Sequence, residues 1–214
     1  MIEVVPGIQT NNFEDAQKKL DIISKFATFA HIDVCDGRFV PNLTTGVQEL
    51  LKLKTELDFN LHLMIKLDGN QIFQYCRIQA KTLIFYPKAT PEPETTVAQI
   101  KETHKKIGIA LDPEDSVESV KDLLTQADLA LVLAVPSGFA GQQFQAGVLS
   151  KISEIREINP RLTVGVDGGI KVGTANLASI AGADFVVANT AIWEAQSPEL
   201  GFWALKKDVS GSNR

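Results

Sequence analysis

Residues 29–42 read FAHIDVCDGRFVPN, and the first part of this stretch has the composition of a buried strand. Apolar residues dominate it, yet His31 and Asp33 lie two positions apart and so share one face of an extended chain. An amphipathic helix pattern precedes the stretch at 13–27, and a second one follows at 47–55. A strand between two helices is the unit from which parallel sheets are built.

The same alternation of strand and helix patterns continues along the chain. Eight strand patterns begin near Glu3, Phe29, Leu57, Lys81, Ile107, Asp128, Arg161 and Ala183. Further helix patterns lie at 70–78, 95–106, 116–125, 146–158, 173–181 and near 200–209. Such a series predicts an α/β protein with parallel strands, either an open doubly wound sheet or a closed (β/α)8 barrel.

Two observations favour the barrel. The first turn reads GIQTNN at 7–12 and lacks the GxGxxG pattern of dinucleotide-binding sheets. A chain of 214 residues also suits a compact (β/α)8 barrel, the TIM-barrel fold. We therefore predict a single barrel domain over residues 1–214, with a frayed tail at 210–214.

Composition and charge exclude several other classes of protein. The formal net charge of −5 argues against a nucleic-acid partner or an anionic membrane surface. The longest unbroken apolar run, 129–135, is far too short to span a membrane, and the first residues do not resemble a signal peptide. Cys35 and Cys76 form no CxxC motif. We expect a cytoplasmic protein with reduced thiols.

Polar side chains near the ends of three predicted strands share the inward phase. They are His31 and Asp33 in the second strand, His62 in the third and Asp167 in the seventh. Each one alone could be a core histidine or a turn-forming aspartate. Together they form a set of two nitrogen and two oxygen ligands that suits one divalent ion, Zn, Fe(II), Mn or Co. Two carboxylates on opposing walls also suit the removal and return of a proton with inversion.

Two glycine-bearing loops follow the sixth and seventh strands. They read PSGFAGQ at 136–142 and GGI at 168–170. Backbone N–H groups in such loops can bind an anion, although either loop alone is more typical of an ordinary turn.

Four sequence blocks closely resemble the ribulose-phosphate 3-epimerase family. They are HIDVCDGRFVPN at 31–42, LHLM at 61–64, GFAGQQF at 138–144 and VDGGI at 166–170. The resemblance extends over essentially the whole chain. It implies a metal-dependent barrel enzyme that interconverts D-ribulose 5-phosphate and D-xylulose 5-phosphate.

The resemblance also implies roles for individual residues. The metal would be held by His31, Asp33, His62 and Asp167, with Asp33 and Asp167 also acting as the acid/base pair at carbon 3. The small phosphorylated ketose would be bound by Thr10, Met64, Gly138, Phe139, Ala140, Gly141, Gly168, Gly169, Asn189 and Thr190. Family members are commonly oligomeric, so a homo-oligomer is compatible with the resemblance.

The chain departs from the family pattern around the substrate pocket. Tyr86-Pro87-Lys88 occupies a segment where the family tends to have a His and a Glu, and Pro136-Ser137 replaces an acidic residue or Asn followed by Pro. Thr10 replaces Ser, and Cys35 and Leu133 replace Met. Asn189-Thr190 replaces a Gly-Ser turn, where Asn tolerates left-handed backbone angles better than most residues.

These departures keep two alternatives open. One is an epimerase of the allulose 6-phosphate type, and the other is a phosphosugar-binding barrel without turnover. A decarboxylase or aldolase of the related barrels is disfavoured, because their DxKxxD pattern is absent.

Overall fold

The computed structural model describes residues 2–211, and its eight parallel strands form a closed barrel in sequential order. This confirms the predicted (β/α)8 fold. The barrel closes where the first strand pairs with the last, with Glu3 beside Phe185 and Pro6 beside Ala188. The strands are β1 (Glu3–Ile8), β2 (Phe29–Cys35), β3 (Asp58–Met64), β4 (Thr82–Phe85), β5 (Lys106–Leu111), β6 (Leu129–Leu133), β7 (Thr163–Asp167) and β8 (Phe185–Ala188).

Helices connect the strands on the outside of the barrel. They are α1 (Phe13–Ile23), α2 (Val47–Leu50), α3 (Ile72–Cys76), α4 (Pro93–Glu102), α5 (Lys121–Leu124), α6 (Ser150–Ile158), α7 (Thr174–Ile180), α8 (Thr190–Trp193) and α9 (Pro198–Ser210). Asn12 caps α1 by accepting a hydrogen bond from the Asp15 N–H, as its position before the helix favours.

Several predicted helices are longer than the observed ones. The pattern at 47–55 forms a helix only over Val47–Leu50, and the Lys52 N–H then bonds to the Glu49 carbonyl in a tighter turn. The patterns at 116–125 and 146–158 each begin with a 3₁₀ turn, Glu118–Val120 and Ala146–Leu149. Periodicity detects the apolar face but not this change in hydrogen bonding.

The last two helices also differ from expectation. The four-residue α8 is too short to produce a periodic pattern and was not predicted. Helix α9 begins at Pro198, two residues before the expected start, because the Ser197 hydroxyl accepts a hydrogen bond from the Leu200 N–H. Ser210, the first residue of the predicted frayed tail, ends α9, and residues 212–214 of that tail lie outside the described residues.

Apolar side chains pack in two layers, one between strands and helices and one inside the barrel. The inner layer includes Met64 near the carboxyl end and Phe185 near the amino end. Gly165 makes room for Phe185, because a Cβ at this glycine would lie 2.1 Å from the ring. The Phe185 ring thus occupies the interior near the amino end, and the His and Asp side chains predicted as ligands lie at the opposite end.

None of the helices between residues 2 and 211 combines the length and apolar character that a bilayer crossing requires.

Candidate active site

The strand register brings four polar side chains together at the carboxyl end of the barrel. In the β2–β3 ladder Asp33 lies beside His62, and in the β6–β7 ladder Asp167 lies beside Leu133. One ligand atom from each of His31, Asp33, His62 and Asp167 lies within 4.8 Å of all the others. We call these four residues the ligand cluster.

Distances within the ligand cluster show which atoms face its centre. The Nδ1 of His62 lies 3.0 Å from Asp33 Oδ1 and 3.7 Å from Asp167 Oδ2. The Nε2 of His31 lies 3.4 Å and 3.8 Å from the same two oxygens. Both imidazoles are completely buried. Two nitrogens and two oxygens therefore surround one small volume.

The donor set fits a divalent metal ion. Both ring nitrogens of His31 are buried without a hydrogen-bond partner among the described residues. A buried polar group without a partner costs about 1–3 kcal/mol, and a cation among the four ligand atoms would provide one for Nε2. Imidazole nitrogens with carboxylate oxygens are the ligands that Zn, Fe(II), Mn and Co accept.

The two carboxylates have opposite electrostatic environments. Burial by itself would raise the pKa of Asp33, but the hydrogen bond with His62 and the charge interactions with both imidazoles outweigh it and hold that pKa well below its usual range. Burial and the negative charge of Asp33 raise the pKa of Asp167 to about 6. One carboxylate is therefore biased toward the ionised form and the other toward the protonated form.

A cavity lies above the ligand cluster, between the loops that follow the strands. Nine of the predicted substrate-binding residues line it: Met64, Gly138, Phe139, Ala140, Gly141, Gly168, Gly169, Asn189 and Thr190. Thr10 does not; its carbonyl oxygen instead accepts hydrogen bonds from the N–H and hydroxyl of Thr45. His31 lies beneath the cavity, whereas Asp33, His62 and Asp167 line its floor.

Other lining residues were not selected from the sequence as site residues. They are Gln9, Leu133, Val135, Pro136, Ser137, Ile170 and Val187. The inward phase of β6 and β8 is a signal that could have identified Leu133 and Val187. No comparable signal exists for Gln9, because its role depends on a loop 129 residues away.

The loop after β6 is held over the cavity from two sides. The carbonyl oxygen of Gly138 accepts hydrogen bonds from Asn42 Nδ2 at 2.6 Å and from Gln9 Nε2 at 3.3 Å. The Ala140 N–H donates to Gln9 Oε1 at 3.2 Å. Phe139 at the tip is 50% exposed. Side chains after β1 and β2 thus anchor a loop that otherwise presents an apolar tip to solvent.

Glycine is required after β7 but not after β8. Gly168 and Gly169 have φ values of +94° and +65°, and a Cβ on Gly169 would lie 2.7 Å from the Phe144 backbone nitrogen. Asn189 has a φ of −109°, so the left-handed tolerance of asparagine, considered above, is not used there.

Tyr86, at the end of β4, also reaches the ligand cluster and was not selected as a site residue. Its side chain is completely buried, and its hydroxyl lies 3.1 Å from His62 Nε2. The sequence marked this segment only as a departure from the family pattern. The contact depends on the alignment of β4 with β3, in which His62 lies beside Ile84.

The cavity lining contains no lysine or arginine among the described residues. An anionic group in the cavity would therefore depend on backbone N–H groups and hydroxyls. The carboxylates lie on the floor, so such a group would be placed at the rim, near Gly141, Gly169 and Thr190.

Comparison with known proteins agrees with this geometry. The model of the "Ribulose-phosphate 3 epimerase family" matches residues 3–193. A ribulose-phosphate 3-epimerase from Schizosaccharomyces pombe is 33% identical over 213 residues, covering 97% of this chain and 93% of the relative. One from Treponema pallidum is 36% identical over 216 residues, covering 98% and 97%.

The fold has its own structural relatives. A crystal structure of KGPDC from Streptococcus mutans superimposes with a TM-score of 0.78 at 15% identity, covering 100% of this chain and 99% of that one. At that identity the match concerns the barrel alone. The family match and the two epimerase relatives together show that this chain is an isomerase belonging to the ribulose-phosphate 3-epimerase family.

Proposed function

We propose that this protein inverts carbon 3 of D-ribulose 5-phosphate to give D-xylulose 5-phosphate, in a reaction that requires a divalent metal ion. The observation that carries the proposal is the ligand cluster at the cavity floor, with its ligand atoms all within 4.8 Å of one another. The names of the relatives support a pentulose phosphate as the substrate class.

Asp33 and Asp167 are the proposed acid and base. Inversion requires that a proton leave one face of carbon 3 and that another arrive on the opposite face. The two carboxylates lie on strands separated by β1 and β8 in the barrel, so they can approach a substrate from different sides. Their pKa values are displaced in opposite directions, downward for Asp33 and upward for Asp167, as suits a base and an acid that exchange roles with direction.

In the proposed mechanism one carboxylate removes the carbon 3 proton, which leaves an enediolate, and the other delivers a proton to the opposite face. His31, Asp33, His62 and Asp167 would hold the divalent ion. When bound, the ion supplies a Lewis acid that stabilises the negative charge developing on the substrate oxygens. Met64 and Leu133 provide an apolar lining that keeps this region dry.

The phosphate of the substrate is proposed to lie at the cavity rim. Gly141, Gly169 and Thr190 meet there, and all three also line a second opening beside the cavity. Loops after the last two strands of (β/α)8 barrels frequently bind phosphate. Placing the dianion at the rim also separates it from the carboxylates on the floor.

Deuterium exchange tests the proposal directly. The purified protein is incubated with D-ribulose 5-phosphate in heavy water, with and without a chelator, and deuterium at carbon 3 is followed. We expect chelator-sensitive exchange accompanied by D-xylulose 5-phosphate. Exchange that persists in fully metal-depleted protein would contradict the metal requirement.

Negative results distinguish the two alternatives. Metal binding without exchange would favour a six-carbon substrate such as allulose 6-phosphate, which is then tested in the same assay. The absence of both metal binding and exchange would favour a sugar-phosphate-binding barrel without turnover.

We also propose a cytoplasmic location. The support is a 30% identical relative from Oryza sativa that is named as a cytoplasmic isoform.

A further inference from the structure

We propose that Tyr86 is a positioning residue that keeps the Nδ1 of His62 available for a metal ion. Its hydroxyl acts through a chain of hydrogen bonds that ends at Asp112. We call Tyr86, Lys88, Asp112 and Ser137 the Tyr86 network. The inference rests on the metal site proposed above and adds residues that follow β4, β5 and β6, none of which contributes to the ligand cluster.

The two nitrogens of the His62 ring face different partners. Nδ1 faces Asp33 at 3.0 Å, and Nε2 faces the Tyr86 hydroxyl at 3.1 Å. A neutral imidazole carries one proton. A proton on Nδ1 would be donated to Asp33 and would prevent metal binding, whereas a proton on Nε2 leaves the Nδ1 lone pair free. The partner of Nε2 therefore decides whether His62 can serve as a ligand.

Tyr86 stabilises the metal-binding tautomer only if its oxygen accepts the Nε2–H, so its own proton needs another acceptor. Burial and the charge of Asp112 raise the pKa of Tyr86 well above its ordinary value, and the neighbouring Ser137 side chain lowers it in part. The Ser137 hydroxyl is thus the neighbour toward which the Tyr86 O–H can be directed.

Asp112 fixes the direction of this series of hydrogen bonds. Asp112 accepts two hydrogen bonds from Ser137, one from the backbone N–H to Oδ1 and one from the hydroxyl to Oδ2, both at 3.1 Å. A carboxylate only accepts, so the Ser137 proton points to Asp112 and its lone pairs are free for the Tyr86 hydroxyl. In the proposed arrangement His62 donates to Tyr86, the Tyr86 hydroxyl points to Ser137, and Ser137 donates to Asp112.

Lys88 contacts the Asp112 carboxylate, at which the series of hydrogen bonds ends. Its Nζ lies 2.8 Å from Asp112 Oδ2, and the Asp112 side chain is only 5% exposed. The same ammonium group lies 5.8 Å from the centroid of the Tyr86 ring. Lys88 thus pairs this buried carboxylate with a cation.

The test compares two tyrosine variants in metal-binding experiments. The chain has only two tyrosines, so Tyr75→Phe is a matched control for Tyr86→Phe. We expect Tyr86→Phe to weaken Zn²⁺ binding roughly 10–100-fold and Tyr75→Phe to leave it unchanged. Thermal unfolding of the metal-free proteins shows whether both variants fold.

Nitrogen-15 NMR of the imidazoles supplies a readout that loss of packing would not reproduce. The chain has three histidines, so the spectrum of ¹⁵N-histidine-labelled protein is simple to assign. In Zn²⁺-loaded wild-type protein we expect His62 to be protonated at Nε2, with that resonance shifted in Tyr86→Phe. Ser137→Ala should weaken Zn²⁺ binding by a few-fold and Ser137→Thr should restore it, since a hydroxyl is retained.

The outcomes separate this inference from the proposed function. Unchanged Zn²⁺ affinity and an unchanged His62 spectrum in Tyr86→Phe would overturn the positioning role and leave the metal site intact. If Tyr86→Phe does not fold, equal Zn²⁺ affinity of Ser137→Ala and wild type overturns it instead. Wild-type protein that binds no Zn²⁺, Mn²⁺ or Co²⁺ would remove the metal site and the inference with it.

Discussion

The ligand cluster and the Tyr86 network are two buried polar groups at the same end of the barrel, and they differ in how their atoms are satisfied. In the ligand cluster both ring nitrogens of His31 lack a hydrogen-bond partner among residues 2–211. In the Tyr86 network each described buried side-chain N or O atom has one. Native proteins leave few buried polar atoms unpaired, so the unpaired set suits a ligand and the paired set suits a support.

The contrast predicts that the ligand cluster controls the reaction and the Tyr86 network adjusts it. Loss of a ligand-cluster carboxylate should therefore have the largest effect, and loss of the outermost cation of the network the smallest.

Asp33→Asn and Asp167→Asn should each lower kcat/KM by roughly 10³-fold, because each change removes a proposed acid/base group that is also a proposed metal ligand. The assay is interconversion of the two pentulose phosphates, with unfolding temperature as a check on folding. Asp58→Asn is the matched control, since Asp58 begins β3 at the opposite end of the barrel and is exposed. Near wild-type turnover by either site variant would contradict the two-carboxylate mechanism.

Metal affinity should fall as the solution becomes more acidic. A carboxylate must be ionised to bind a metal, and the pKa of Asp167 in the metal-free protein is raised to about 6. We expect Zn²⁺ affinity to fall at least about tenfold for each pH unit below about 6. Titration calorimetry at several pH values measures this, and a flat profile between about pH 4.5 and 7 would contradict a ligand role for an Asp167 whose pKa is raised.

Gly169→Ala should destabilise the protein by about 2 kcal/mol, because alanine is strained at positive φ and its Cβ would press on the Phe144 backbone. Gly147→Ala is the control: Gly147 has no positive φ, and nothing lies within 4 Å of the added Cβ. Urea unfolding compares the two variants. Equal stability would mean that the loop after β7 relaxes freely.

Lys88→Gln should cost about 1 kcal/mol of stability or less, because the lysine side chain is 36% exposed and solvent screens its ion pairs. The exposed pair between Lys81 and Asp58 is the comparison, and Lys81→Gln should have almost no effect. A stability loss in Lys88→Gln that is larger than this and that decreases at high salt would show that Asp112 depends on this cation. Equal effects of the two changes would remove Lys88 from the network.

The sequence predicted the ligand cluster well because strand geometry alone determines it. Residues two apart in a strand share a face, and strands of a parallel barrel end at the same rim. His31, Asp33, His62 and Asp167 could therefore be placed together without knowing any loop conformation. The closed barrel was predicted on other grounds, namely eight alternating strand and helix patterns, the chain length and the absence of GxGxxG.

The Tyr86 network could not be predicted in this way. Tyr86, Asp112 and Ser137 follow three different strands, and their contacts depend on where each chain turns after leaving the barrel. A substituted segment such as 86–88 is visible in the sequence, but its hydrogen-bond partners are not. The predicted helix lengths were wrong for a related reason. Caps and 3₁₀ turns depend on individual backbone hydrogen bonds and not on apolar periodicity.

The pairing of β1 with β8 has a consequence for the order of events during synthesis. The ladder joins residues near position 3 to residues near 185, and the Trp193 indole N–H donates to the Gly7 carbonyl at 2.7 Å across 186 positions. Contacts this distant form late, since the ribosome must first release almost the whole chain. His31 and His62 leave the ribosome early, but we expect Asp167 to lie beside them only when the barrel closes. Tight Zn²⁺ binding would therefore require the closed barrel, and a chain truncated before β8 should bind Zn²⁺ far more weakly.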